Sequence, residues 1–320
     1  MKSIRLKSYG KINLSIDVLG KEPTGYHKVE MVMHQIQLHD DILIRIEPGE
    51  DFNIKLKTNK FFLPTDEKNL AYKAAVVLYE RIHNKTGSYP KGSVRIDIKK
   101  NIPVAAGLAG GSGNGAAVLL GLNKLWGGDF SLKELLEIGG ELGSDVPFCI
   151  MGQAKTNKSL GQEFLSDPLA TCAALATGSG TTLEPIPSIA LDVILSKPAH
   201  GVSTKEVYSN LNIGALKKRP DTKGLIEAIK LGNLGKLAQC SANVLEEYTL
   251  KAYEDVKKTK EKLEEKWPGS FVLMSGSGPT VFAVKKADYG RSHKRASEMD
   301  AVYNELKKIN KETYITRTMV

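Results

Sequence analysis

The chain has 320 residues, 41% of them hydrophobic and 25% charged, with a formal net charge of +9. That length buries a substantial core in one large or two modest domains, and the composition is that of an ordinary globular protein. Three widely separated cysteines, Cys149, Cys172 and Cys240, show no C-x-x-C spacing, which argues against a disulfide framework and points to a reducing cytoplasm. The positive balance suits nucleic acid, an anionic surface or a phosphorylated small molecule. Yet the lysines are spread along the chain, and their densest run, KKTKEKLEEK, mixes with glutamates as a solvated helix face does.

The first segment, MKSIRLKSYGKINLSIDVLG, alternates polar and apolar residues and has no long apolar core, so it reads as strand and not as a signal peptide. The same period of two runs through VEMVMHQIQLHDDILIRIEP. NLAYKAAVVLYERI has helical spacing, with Asp66 as a cap upstream, and VRIDIKK is a further strand. AAVLLGLNKLW is helical, and SLKELLEIGGEL opens on an S-x-x-E capping box at Ser131 and Glu134. LDVILSKP reads as strand, Ser203 opens a second S-x-x-E box, and helical patterns fill residues 222–266. FVLMSGSGPTVFAV then reads as strand, tight turn and strand, and a last helix and the strand TYITRTM finish the chain. This mixture predicts an α+β protein of two layered domains, residues 1–184 and 185–320, with a hinge at Pro185–Pro187.

Between strand VRIDIKK and the following helix, residues 101–123 carry no charge and six glycines. The glycines, Ser112 and the asparagines make the stretch a poor membrane span, and the amphipathic helix behind it is wrong for a linker. Strand, glycine loop and helix in that order aim backbone N–H groups and the positive helix end at one point, a preformed anion site. Tight helix–sheet packing through small residues is the competing explanation. No Walker A string occurs, and Gly111 to Ala116 fits the dinucleotide pattern G-x-G-x-x-A only weakly, without a ribose-binding acidic strand end.

Residues 103–117, PVAAGLAGGSGNGAA, resemble the ATP-binding motif of the small-metabolite kinases called the GHMP family. Two further motifs of that family stand in the expected order, SYGKINLSIDVLG and VLMSGSGPTVFAV. The resemblance covers nearly the whole chain. It implies a two-domain fold, an N-terminal β-α-β two-layer sandwich followed by a C-terminal ferredoxin-like α/β sandwich. It also implies ATP as phosphoryl donor, with Mg²⁺ arriving on its phosphates, since no His/Asp/Glu cluster has metal-ligand spacing. The strings GYHKVEMVMHQIQLHD and GSDVPFCIMG resemble members of the family whose acceptor is a cytidine diphosphate conjugate of methylerythritol, and that resemblance implies phosphorylation of its 2-hydroxyl. Another acceptor alcohol within the family is the nearest alternative. A dinucleotide-dependent oxidoreductase or a basic RNA-binding protein is a more distant one, and neither needs Lys11 and Asp145 together.

By the resemblance, the nucleotide is held by Pro103, Val104, Ala105, Ala106, Gly107, Leu108, Ala109, Gly110, Gly111, Ser112 and Gly113. Asp145, in ELGSDVPFCI, is the candidate base. Ser144 can cap the helical turn behind it, Pro147 suits that first turn, and a helix N-terminus favours the carboxylate form. Lys11 and Asn13 share one face of a strand, and the resemblance pairs Lys11 with Asp145 across the acceptor hydroxyl while Asn13 holds substrate. The tyrosine ring of Tyr26 can stack on a pyrimidine and His27 can bond its edge. The family assigns this pair to cytidine, with Tyr208 offering the opposite face. Gly276, Ser277 and Gly278 form a second glycine turn, which the resemblance places beside phosphates and substrate. A monomer or homodimer without nucleic acid or membrane partners completes the expectation.

Three departures from the family pattern stand out. Gly113 and Gly115 replace a serine and an alanine, which is expected to weaken the helix start by roughly 0.5–1 kcal/mol each and to raise the ATP KM. About twenty residues, QAKTNKSLGQEFLSDPLATCA, intervene before ALATGSG, to be read as a tolerated surface insertion, with a lid over the nucleotide as the alternative. Ser179 stands where the family usually has arginine.

Overall fold

The computed structural model describes residues 2–21, 27–49, 51–288 and 293–320. It divides into two compact units, the first formed by Met1–Gly10, Leu38–Ile102 and Ala109–Cys172, the second by Lys11–Gln37, Pro103–Leu108 and Ala173–Val320. Two long strands, β1 (Lys2–Lys21) and β2 (His27–Glu47), contribute residues to both units.

In the first unit β4 (Ser93–Lys99) pairs antiparallel with the second half of β2 and parallel with β3 (Ile54–Thr58). Alternation puts Ile4, Leu6, Ile42, Ile44, Val94 and Ile96 on one face of this sheet, all buried. Four helices supply the opposing apolar surface: α1 (Leu70–Thr86), α2 (Gly110–Trp126), α3 (Leu132–Leu142) and α4 (Val146–Thr156). The capping box at Ser131 and Glu134 forms as expected. Helix α1 is capped by Asn69, whose Oδ1 accepts from the Ala71 N–H at 3.0 Å, and not by Asp66. Asp66 instead accepts from Lys68 N in a turn ahead of the helix.

The inserted segment is neither a loose loop nor a lid. It prolongs α4, makes a 3₁₀ turn at Lys158–Leu160 and the short helix α5 (Gln162–Leu165), and puts Leu160, Phe164 and Ala170 into the core of this unit. Those apolar residues, spaced through the insertion, are what fold it.

In the second unit the first half of β2 pairs with β5 (Ala173–Gly178), which pairs with β6 (Thr182–Pro185). A separate antiparallel sheet follows. It is built from β7 (Leu191–Lys197), β8 (Phe271–Met274), β9 (Val281–Lys286) and β10 (Glu312–Arg317), in the order β10-β7-β9-β8. The helices of this unit are α6 (Thr204–Asn210), α7 (Thr222–Leu231), α8 (Leu234–Cys240), α9 (Glu246–Ala252), α10 (Glu254–Lys266) and α11 (His293–Lys307). Helices α10 and α11 pack on the four-stranded sheet, whose β7 is buried at every position. Two sheets with layered helices give the α+β class predicted.

Candidate functional site

The second unit gathers several of the predicted residues around β1. Lys11 and Asn13 are buried, and Lys11 Nζ donates to Asn13 Oδ1 at 2.7 Å. The same oxygen accepts from the Gly276 N–H at 3.1 Å, and Asn13 Nδ2 lies 3.8 Å from Met31 Sδ. Asn13 thereby aligns Lys11 and the Ser275–Gly278 turn with one amide.

The glycine segment joins this group through its backbone. Lys11 N donates to Leu108 O at 3.1 Å, and Ser275 Oγ donates to Gly107 O at 2.9 Å. Gly107 has φ 72°, and a Cβ there would stand 2.2 Å from Ser275 O, so only glycine allows the two turns to meet. Ser277 shares a hydrogen bond with Thr204 Oγ1 at 2.9 Å, and its carbonyl accepts from Thr249. Sequence reasoning missed Asn243, which donates to both Met274 O and Gly276 O at 2.8 Å and so fixes the same turn from behind. Its surroundings, SANVLEE, carry no local signal of that role.

The rings of His27 and Tyr208 meet at 4.9 Å between centroids, tilted by 42°. Burial, aided by Lys21, holds the His27 pKa below the usual imidazole value, which favours the neutral ring with one donor and one acceptor nitrogen. Tyr26 lies outside the described residues. Ser179 shares a hydrogen bond with Thr181 at 3.1 Å.

Of the remaining predicted residues, Pro103, Val104, Ala105 and Ala106 belong to the second unit, and Ala109 to Gly113 and Asp145 to the first. Helix α2 starts at Gly110, so Gly110, Gly111, Ser112 and Gly113 form its first turn instead of a loop ahead of it. Its N-cap, Ala109, has φ 56° and no side-chain cap, and no acidic residue stands in the first turn. The N–H groups of Gly110, Gly111 and Ser112 therefore have no carbonyl one turn earlier. Ala105 also has positive φ, 51°, so left-handed non-glycine residues bracket the motif, the kind of strain that clusters at ligand sites.

A buried polar network anchors this helix start. Lys100 Nζ is paired with Asp40 and donates to Asn114 Oδ1 at 2.9 Å, while Asn114 Nδ2 donates to Asp40 Oδ2 at 2.8 Å and Ser8 Oγ at 3.1 Å. Asp40 Oδ1 also accepts from the backbone N–H groups of Asn101 at 2.7 Å and Ile102 at 2.8 Å. Burial lowers the Lys100 pKa, and Asp40 opposes that by stabilising the ammonium. A charge pair sealed in this way locks the exit of β4 to the first turns of α2. Asp40 and Lys100 had no motif to mark them.

Asp145 precedes α4 as its N-cap with helical backbone angles, and its side chain makes no capping bond. Ser144 does not cap the helix as expected, and Pro147 sits in the first turn as expected. The carboxylate is half-buried. Among the described residues no group of three or more His, Cys, Asp or Glu could hold a metal ion, and no helix is long and apolar enough to cross a membrane.

Comparison with known proteins follows the same lines. The model of the GHMP kinases N-terminal domain matches residues 69–153, and that of the GHMP kinases C-terminal domain matches residues 225–311. The chain is 43% identical over 320 residues to a 4-diphosphocytidyl-2-C-methyl-D-erythritol kinase of Alkaliphilus oremlandii (strain OhILAs), covering 99% of this chain and 97% of that protein. A protein of the same name from Clostridioides difficile (strain 630) is 44% identical over 289 residues, covering 89% of this chain and 88% of that one. The fold matches a crystal structure of 4-(cytidine 5'-diphospho)-2C-methyl-D-erythritol kinase with a TM-score of 0.75 at 23% identity, covering 99% of this chain and all of that one.

Proposed function

The chain belongs to the GHMP kinase family, and we propose that it transfers the γ-phosphoryl group of ATP to the 2-hydroxyl of 4-diphosphocytidyl-2-C-methyl-D-erythritol, in non-mevalonate isoprenoid precursor biosynthesis. It is a small-molecule kinase and uses ATP. The observation that carries the acceptor is the 43% identity across 99% of the chain with a kinase of that name.

Phosphoryl transfer asks little covalent chemistry of a protein and much alignment and charge stabilisation. The first-turn amides of α2 are suited to the ATP phosphates, with close approach at Gly111, where an added Cβ would meet nothing nearer than 3.9 Å. Asp145, half-buried as the N-cap of α4, is the proposed base. Lys11, oriented by Asn13, is the proposed cation that stabilises the forming alkoxide and the transferring group. His27 and Tyr208 supply adjacent ring faces for cytosine, with Tyr26 as their partner in the sequence.

Mg²⁺ is proposed to come with ATP, neutralising charge on the phosphate oxygens, with the Ser112 hydroxyl contributing either to the phosphate or to the ion. Residues 1–184 and 185–320 remain the proposed domain division, with the two family matches lying on either side of it. A cytoplasmic monomer or homodimer that binds neither nucleic acid nor membrane completes the reading.

The test is ADP release from ATP and Mg²⁺ with several acceptor alcohols side by side. Turnover confined to the cytidine diphosphate methylerythritol supports the assignment, and phosphorylation of a different sugar or amino alcohol in its place removes it. Asp145→Asn should abolish turnover while ATP still binds. Near-normal turnover in that variant would sink the base role.

A further inference from the structure

The sheet of the first unit has a second face, turned away from the helices, and its charges are arranged unevenly. Because Ser8 Oγ contacts Asn114 at the start of α2, the odd-numbered residues of β1 stand on this opposite face. Strand register continues the face through Asp41, Leu43 and Arg45 of β2, Asp97 and Lys99 of β4, and Lys57 of β3.

At one end of the face the charges pair across strands as solvated sheets usually do: Arg45 with Asp97 at 2.5 Å and Arg95 with Glu47 at 3.3 Å. At the other end they do not. Here a groove of about 880 Å³ opens between β1, β2, β4 and the end of α4. Arg5, Lys7, Lys57, Lys99 and Lys158 line it, all exposed, and none forms an ion pair among the described residues. Two carboxylates share the groove. Asp97 is already held by Arg45, and Asp41 sits opposite Lys99 in register but is directed to His39 at 3.7 Å. Tyr9, almost fully buried, and half-buried Leu43 provide an apolar floor, with the hydroxyls of Thr58 and Thr156 at the rim.

A solvated lysine surface has no reason to collect five unpaired cations in one concavity while the neighbouring cross-strand positions neutralise each other. Mutual repulsion among them is a cost that a multiply charged anion would relieve. The volume is that of a small-molecule site. We propose that this groove is a second anion site, for a small molecule carrying two or more phosphate groups, separate from the phosphate cradle at the start of α2.

The probe is inorganic tripolyphosphate, titrated calorimetrically into the full-length enzyme saturated with a non-hydrolysable ATP analogue. The groove predicts one-to-one binding that survives the analogue, weakens with added salt and falls at least tenfold in Lys57→Glu/Lys99→Glu. Both lysines are exposed and outside the proposed catalytic machinery, so kcat and the ATP KM of that variant should stay at the parent values. Absence of binding would overturn the proposal, and so would displacement by the analogue, which puts the probe in the glycine motif. Unchanged affinity in the double variant would place the anion elsewhere and overturn it equally. Binding of RNA or long polyphosphate in preference to tripolyphosphate would replace the small-molecule site with a polyanion surface.

Discussion

Removing the Asp40 carboxylate tests whether the buried network sets the stability of the first unit. In Asp40→Ala, the N–H groups of Asn101 and Ile102 lose the acceptor described for them, and Lys100 Nζ and Asn114 Nδ2 each lose one of two. The side chains of Asp40 and Lys100 are 0% and 5% exposed, so water does not replace the lost partner without rearrangement. Breaking a buried pair from one side costs about 3–5 kcal/mol, a large part of the stability of a domain. That figure has a ceiling, because Lys100, already depressed by burial, sheds its proton once Asp40 no longer supports the ammonium. A lysine whose folded pKa lies below its unfolded one favours unfolding when protonated, so the deficit of the variant should narrow as pH rises. Lys100→Met should cost less, about 2 kcal/mol, since Asp40 keeps its three other donors. Urea unfolding followed by circular dichroism measures both, as midpoint shifts at constant m. A loss below about 1 kcal/mol in Asp40→Ala, or Lys100→Met costing more than Asp40→Ala, would refute the reasoning.

Four further outcomes follow from local geometry. Gly113→Ala should destabilise by about 1–3 kcal/mol, because its Cβ would stand 2.7 Å from Ser8 Oγ and 3.3 Å from Tyr9 O. Gly115→Ala, whose Cβ meets nothing nearer than 3.4 Å, should stabilise by about 0.5–1 kcal/mol; equal effects in thermal unfolding would contradict this account. His34 is fully buried, with Nε2 accepting from Ile189 N at 3.0 Å and Nδ1 facing Gln35 O at 3.0 Å, and burial lowers its pKa to about 4. Its depressed pKa means that stability is complete above pH 6.5 and is lost as pH falls towards 4, by at most about 3 kcal/mol, and a denaturant series across that window should flatten in His34→Gln. Gln153→Leu removes a bond to Gly113 O at 2.8 Å but also an Oε1 with no hydrogen-bond partner among the described residues, so its stability should move by less than about 1 kcal/mol; a loss above 3 would show a larger role.

What the sequence made legible was what depends on short spacing. Alternation in INLSIDV placed Lys11 and Asn13 on one face, the S-x-x-E box fixed the start of α3, and SGSGPT between apolar runs gave the turn that meets Gly107. Contacts that join distant segments were out of reach. Asp40 and Lys100 are sixty positions apart and look like ordinary strand-end charges until both prove buried. Asn243 stands thirty-three positions from the turn it holds. The helix boundary was misplaced because glycine is a poor helix former by intrinsic propensity, whereas α2 begins at Gly110 and keeps glycine at 113, where added Cβ atoms would stand 3.0 Å from Ile102 Cγ2 and 2.7 Å from Ser8 Oγ.

That packing also ties together two departures from the family pattern that look independent in sequence. The insertion begins at Gln153, whose Nε2 holds the carbonyl of Gly113 and lies 3.7 Å from where a Cβ at 113 would be. With Ser8 on the other side, the position has no room for the serine usual there. The same segment then covers the backbone of β1: Asn157 accepts from Lys7 N at 2.8 Å and donates to Lys7 O at 3.0 Å, and Ser159 Oγ donates to Arg5 O at 3.1 Å. Two polar side chains thus satisfy a strand backbone that would otherwise present unpaired groups, while Leu160 and Phe164 bury apolar surface behind them. An insertion that both protects β1 and grips the first turn of α2 restrains the turn that Gly113 and Gly115 would loosen. The crowding that favours glycine at 113 comes from Ser8 Oγ of β1, 2.7 Å from an added Cβ, while Gln153 of the insertion holds the carbonyl of the same residue.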